Sequence, residues 1–451
     1  MTNSAKGIFV LVSSTVSFTV CFAIWMMFAV IGIPIKQELG LNETQFGLLA
    51  ATPVLTGSLI RLPVGMWTDR YGGRIVFFLL MLSCVVPIWL IGEAVHYWQF
   101  LVLGLFVGIA GGSFSVGIAY VARWFPRQRQ GMAMGIFGAG NAGAALTKFV
   151  APLLLVGFGW AMVPKVYAVA MLATALLFWF FSYSDSGHKV SSGVSVRTQL
   201  AVLKDPKVWK YCQYYSIVFG GYVALSLWMT RYYISEYGFD IRIAALLAAA
   251  FSLPGGVLRA LGGWFSDKWG AHPVTWWVML ISWLCLFFLS YPQTTFSVAT
   301  VSGTVRTFDL GLGPWAFTAL MFTMGIAWAV GKASVFKYIS DDFSRDIGVV
   351  SGIVGLIGGL GGFLFPILFG MLVDFTGINS SIFMLLFAVT CWSLIWMYTT
   401  EVRGVKTLRL IASTGKEAAE ATEVKEVGGD DAGRAENAAA GVRPPPLHYP
   451  S

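Results

Sequence analysis

The stretch "SLIRLPVGMWTDRYGG", residues 58–73, places an arginine near the end of a long apolar run. "VLRALGGWFSDKWG", residues 257–270, repeats the pattern without a gap. Arg61 matches Arg259, Gly65 matches Gly263, Asp69 matches Asp267 and Gly72 matches Gly270, all at one constant interval. A repeat that long inside apolar sequence points to two related halves in one chain.

The composition says what surrounds the repeat. Of 451 residues, 57% are hydrophobic and only 12% are charged. A soluble protein carries about twice that charge. With 18 Trp, 35 Phe and a mean hydropathy of +0.73, the chain reads as a polytopic membrane protein. The net charge of +8 is therefore no nucleic-acid footprint, because the basic residues cluster in short loops beside apolar segments. The five cysteines are scattered through apolar runs and form no CxxC pair, so they read as small buried hydrophobes. The first apolar run is too long for a cleaved signal peptide and reads as a span.

Runs of about 20 apolar residues cross a bilayer as helices, because lipid offers backbone groups no hydrogen bonds. Twelve such runs are predicted, at about 8–33, 43–67, 75–94, 98–122, 131–155, 161–183, 208–233, 240–265, 273–291, 314–338, 347–372 and 380–400. The expected fold is all-α: two pseudo-symmetric six-helix bundles, residues 1–183 and 208–400. A linker at 184–207 joins them, and a disordered tail follows at 401–451. Lys6, Arg70, Arg74, Arg127, Arg129, Lys268, Arg345 and the basic linker fall on one side. Lys36, Lys165, Arg231, Arg242 and Arg306 fall on the other. The positive-inside rule then puts both termini and the linker in the cytoplasm.

Four basic residues remain inside the spans: Arg61, Lys148, Arg259 and Lys332. No Asp or Glu lies well inside any predicted span, and all four His fall in loops or the tail. Each of the four basic residues costs about 2.5–3.5 kcal/mol to insert, so the four together cost on the order of 10 kcal/mol unless water or an anion reaches them. Snorkelling to the interface is the competing explanation, and it fits the two lysines better than the arginines. Independent snorkellers need not occupy matching places in two repeats. Two facing guanidinium forks suit a small oxyanion, each offering donors to two oxygens at once. Glycines crowd the segments around 131–143 and 348–362, where they allow close helix contact and bending. Glycine-rich helices at equivalent places in both halves fit alternating access about a central site.

"GMWTDRYGGR", repeated as "GGWFSDKWGA", resembles the loop between helices 2 and 3 that marks the major facilitator superfamily. The resemblance implies a conformational lock at Asp69, Arg70, Asp267 and Lys268. Within that superfamily the chain is similar to the nitrate/nitrite porters over roughly residues 10–400. Three features carry the likeness: the paired arginines, "AGGSFSVGIAYVARWFPRQRQGMAMGIFGAGNAGAALTKFVAP" and "GVVSGIVGLIGGLGGFLFP". It implies that Arg61 and Arg259 clamp the anion, with Phe114, Asn141, Tyr215 and Phe219 lining the pocket.

Lys332 stands where the family pattern has an asparagine, and Lys148 where it has a neutral polar residue. A desolvated lysine can titrate near neutrality. Proton-coupled nitrate uptake through Lys332, with Lys148, is the expectation, and nitrate-for-nitrite exchange is the alternative within the family. The expected partners are nitrate, nitrite, protons and the lipid bilayer. The chain is expected to act as a monomer in the cytoplasmic membrane, with no metal, cofactor or nucleic acid. An organophosphate porter would add His or more Lys to the site, and a channel would need neither the repeat nor a lock. An enzyme is disfavoured because HExxH, GxSxG and the GxxxxGK[ST] phosphate loop are all missing.

Overall fold

The repeated glycine at the end of the opening motif has the same backbone role twice. Gly72 ends one helix at φ 91° and Gly270 ends another at φ 87°, a conformation that other residues rarely adopt. A computed structural model describes residues 3–184, 201–343 and 347–403 of the chain. Most of the expected linker, nearly all of the expected tail, and Arg345 lie outside the described residues.

The first half of the chain forms ten helices: α1 (Asn3–Trp25), α2 (Phe28–Leu39), α3 (Glu43–Leu59), α4 (Arg61–Tyr71), α5 (Gly73–Ile91), α6 (Tyr97–Gly108), α7 (Ser113–Ala122), α8 (Arg127–Gly138), α9 (Gly143–Phe158) and α10 (Met162–Phe181). The second half continues with α11 (Pro206–Tyr215), α12 (Tyr222–Tyr237), α13 (Ile241–Val257), α14 (Arg259–Trp269) and α15 (Ala271–Leu289). It ends with α16 (Pro314–Asp342), α17 (Ile347–Thr376) and α18 (Ser381–Met397). One compact unit runs to Ser393; from Leu394 a second unit holds the end of α18 and a π-helical turn, Tyr398–Arg403.

Among the described residues, nine helical segments are long and apolar enough to cross a membrane, or eleven if two bent pairs each count as one span. The remaining expected span, 208–233, is helical but too polar to join them. It carries six tyrosines as well as Lys210 and Arg231, and a π-helical turn, Ser216–Gly221, joins α11 to α12. Large apolar side chains such as Val86, Phe158, Phe180 and Trp392 are exposed on the outside, while Arg61, Lys148 and Lys332 are buried. That inversion suits a lipid-facing surface.

One feature had no expectation. An antiparallel hairpin, β1 (Thr294–Ala299) with β2 (Val305–Leu310), pairs Thr294 with Leu310 and joins α15 to α16.

The two halves of the chain clasp at one end of the bundle. Asn42 and Gln45 form a capping box that starts α3 there. Asp374 of α17 reaches the same helix start and accepts from the backbone N–H of Glu43 (3.0 Å) and Thr44 (2.8 Å) and from the Thr44 hydroxyl (2.6 Å). Glu43 pairs with Arg231 of α12 and with Lys36 at 2.6 Å. Asn379 accepts from Arg231 at 3.1 Å and donates to Glu236 at 2.8 Å.

The expected lock residues have partners within their own halves. Asp69 pairs with Arg123 at 2.5 Å, and Asp267 with Lys337 at 3.5 Å. Arg70 lies over the Tyr71 ring, and Lys268 over the rings of Trp264 and Trp269.

Candidate anion site

Every residue expected in the pocket stands at or beside an irregularity in a helix. The axis bends by 40° between α3 and α4 and by 47° between α13 and α14. Arg61 and Arg259 are the first residues after those two bends. Phe114 follows a 3-10 turn, Ile109–Gly112, and Asn141 lies within another, Ala139–Ala142. Tyr215 and Phe219 bracket the start of the π-helical turn. Irregular backbone at membrane depth persists where protein or a wet cavity takes up the freed polar groups. π-Turns inside helices occur often at functional sites.

The side chains close into a ring. Phe114 is shared, with the Arg61 guanidinium 5.8 Å and the Arg259 guanidinium 5.2 Å from its ring centre. Each arginine also has a ring of its own: Phe219 for Arg61 at 5.1 Å and Phe336 for Arg259 at 5.3 Å. Tyr215 completes the circuit by stacking on Phe219 (5.1 Å, 12°) and meeting Phe336 edge-on (5.1 Å, 74°). Aromatic faces attract cations, more so away from water. The rings therefore hold two guanidinium groups in place without neutralising them.

α17 approaches this cage closely because it is rich in glycine. The Arg61 Nη1 donates to the Gly355 carbonyl at 2.9 Å. A side chain at Gly358 would run into the Tyr215 ring, and one at Gly359 into Ser58.

Three donors on residues expected at the site are unmet. Arg61 Nε, Arg259 Nη1 and Asn141 Nδ2 are buried donors without an acceptor in the protein. Among the described residues no carboxylate pairs with Arg61, Arg259, Lys148 or Lys332. Buried donors left unmet cost about 1–3 kcal/mol each, more when charged.

The two lysines do not snorkel. Lys148 is 2% exposed and donates to the Ser252 hydroxyl at 2.8 Å, linking α9 to α13. Lys332 is fully buried, donates to the Gly255 carbonyl at 2.6 Å, and faces the Tyr222 ring 3.5 Å from its centre. Arg61 and Lys332 both feel the positive charge of Arg259.

Two residues of this neighbourhood had no place in the sequence reading. Phe336 lies four residues after Lys332, one helical turn along α16. Tyr222 opens α12 directly after the π-turn. The first could have been found from its helical spacing; the second had no signal beyond being one of sixteen tyrosines.

A family model described as Major Facilitator Superfamily matches residues 14–366. The chain is 39% identical over 402 residues to the probable nitrate/nitrite antiporter NarK1 of Thermus thermophilus, covering 86% of this chain and 90% of that protein. It is 30% identical over 391 residues to the nitrite extrusion protein of Bacillus subtilis (strain 168), covering 86% and 93%. A crystal structure of the nucleoside transporter NupG superposes with a TM-score of 0.68 at 12% identity over 86% of this chain and 99% of that one, a likeness of fold alone. With a family model spanning most of its length and relatives matched almost end to end, the chain belongs to the Major Facilitator Superfamily, in its nitrate/nitrite porter family.

Proposed function

We propose that this multi-pass membrane protein carries nitrate, and nitrite with it, by alternating access, and that it takes nitrate up together with protons. It is a transporter and not an enzyme. The observation that carries the substrate reading is the cage of Arg61 and Arg259 around Phe114, with three buried donors unmet and, among the described residues, no carboxylate paired with either arginine. A flat, singly charged oxyanion fits between two guanidinium groups and relieves their mutual repulsion. Relatives named for nitrate or nitrite transport support the same substrate.

The carrier works as two six-helix halves, residues 1–183 and 208–400, rocking about this site. Its termini lie on the cytoplasmic side of the cytoplasmic membrane, where the basic loops gather. It acts as a monomer in the lipid bilayer. Asp69, Arg70, Asp267 and Lys268, with Arg123 and Lys337, hold the loop after each bent helix during that motion.

Proton coupling rests on charge and on the lysines. An anion moving into a negative interior works against about 2.3 kcal/mol per charge per 100 mV, so at least two protons must accompany each nitrate for inward current to be favourable. Lys332 and Lys148 are buried amines, and among the described residues no carboxylate pairs with either. Strict exchange is the second reading, favoured by the name of the Thermus relative. Reconstitution in liposomes decides between them. Nitrate accumulation driven by an imposed pH gradient supports symport; uptake indifferent to pH but dependent on internal nitrite overturns it.

A further inference from the structure

The Lys332 ammonium has an unusual surrounding for a buried cation. Among the described residues it donates to one carbonyl, Gly255 O at 2.6 Å, and faces the Tyr222 ring 3.5 Å from its centre. Arg259 is the charged group that acts on it, and it repels. The Tyr222 ring takes the place a carboxylate would hold in most buried lysine sites.

The other end of Tyr222 is also engaged. Its hydroxyl donates to the Ser252 carbonyl at 2.8 Å and lies 3.4 Å from the Asn141 carbonyl. Ser252 is the residue whose hydroxyl accepts from Lys148. Asn141 belongs to the first half of the chain, and its side-chain amide is one of the unmet donors at the anion site. One tyrosine thus touches Lys332 through its face, and through its hydroxyl it reaches α13, whose Ser252 accepts from Lys148, and the turn that carries Asn141. Space is tight around it, since a side chain at Gly255 would run into the Tyr222 ring.

We propose that Tyr222 is the positioning residue for Lys332: its ring holds the charged amine inside the protein, and its hydroxyl links that charge to the turn carrying Asn141. The inference deepens the proton-coupled reading above and rests on it. When Lys332 Nζ gives a proton to water on the releasing side, the attraction between ammonium and ring disappears. The ring is then free to shift, and its hydroxyl bond to α13 and its contact with the Asn141 turn shift with it. Reprotonation from water on the loading side restores the contact.

The test uses the full chain in liposomes, with nitrate uptake measured across a series of external pH values. Tyr222→Phe keeps the ring and loses the hydroxyl, and is expected to raise KM for nitrate about threefold at an unchanged pH midpoint. Replacing that phenylalanine with mono-, di- and trifluorophenylalanine weakens the ring face with almost no change of shape. The midpoint is expected to fall stepwise, by about one pH unit over the series, because each step removes part of a contact that favours the charged amine. A midpoint that stays flat across the series overturns the role of Tyr222. Lys332→Gln separates the two claims: loss of pH-driven uptake keeps the proton reading whatever the series shows, whereas retention removes Lys332 from coupling altogether and this inference with it.

Discussion

Glu43 of α3 and Arg231 of α12 pair across the two halves of the chain, with Lys36 a second partner of Glu43 and Asn379 a second partner of Arg231. Both side chains are mostly buried, at 14% and 9% exposure, so neither can recover full hydration if its partner is removed. Breaking one member of such a pair costs about 3 kcal/mol, whereas removing both costs much less. Arg231→Met and Glu43→Gln should each lower the melting temperature of the purified protein by several degrees. The double variant should recover much of that loss. Simple additivity of the two losses would show that the pair does not hold this end together.

Arg61→Lys and Arg259→Lys should each reduce Vmax/KM for nitrate by about ten- to a hundredfold, the size of a lost charge-assisted hydrogen bond. Arg61 uses one nitrogen on the Gly355 carbonyl and keeps Nε for a ligand while its plane faces two rings. An ammonium cannot fill all three roles at once. The check is uptake in liposomes beside a size-exclusion profile like that of the unaltered protein. Near-normal transport by either variant would remove the guanidinium fork from the mechanism.

Phe336→Leu should raise KM for nitrate about five- to thirtyfold, the range expected from losing 1–2 kcal/mol of cation–π attraction. Phe336 holds Arg259 as Phe219 holds Arg61, and Tyr215 touches both rings. Phe219→Leu should therefore match it within a small factor. Concentration dependence of initial uptake measures both. A large effect at Phe219 with none at Phe336 would break the symmetry of the cage.

Gly359→Val should abolish transport while leaving the protein inserted and monodisperse. A first side-chain carbon there would lie 2.9 Å from Ser58 Cβ, which forces α17 away from α3 near the Gly355 carbonyl that Arg61 needs. Gly352→Ala is the control, because its new carbon meets only the end of Leu62 at 3.5 Å. Equal loss in both variants would mean that helix flexibility, rather than close approach, is what the glycines supply.

Much of the design is legible along the chain. Apolar runs of bilayer length require helices, because nothing in lipid can satisfy an open backbone. The repeat around Arg61 and Arg259 shows duplication, and two unneutralised charges at matching depth imply an anion. Those inferences use length, period and net charge, which are properties of a sequence.

What the chain by itself does not show is which side chains meet. Tyr222 and Phe336 are common residue types in a chain with 35 Phe and 16 Tyr, and they matter only because helices from different parts of the sequence converge on them. The breaks at Ile60, Leu258 and the π-turn are also settled by packing, since small differences in local helix preference are outweighed by contacts with neighbouring helices. The Glu43–Arg231 pair joins residues that composition assigns only to loop ends. Sequence determined that this protein spans a membrane as a duplicated helical carrier with positive charge at its centre. Tertiary structure alone decided how that charge is caged, because attraction between a cation and a ring, or between two ends of a clasp, depends on distances that only the folded chain sets.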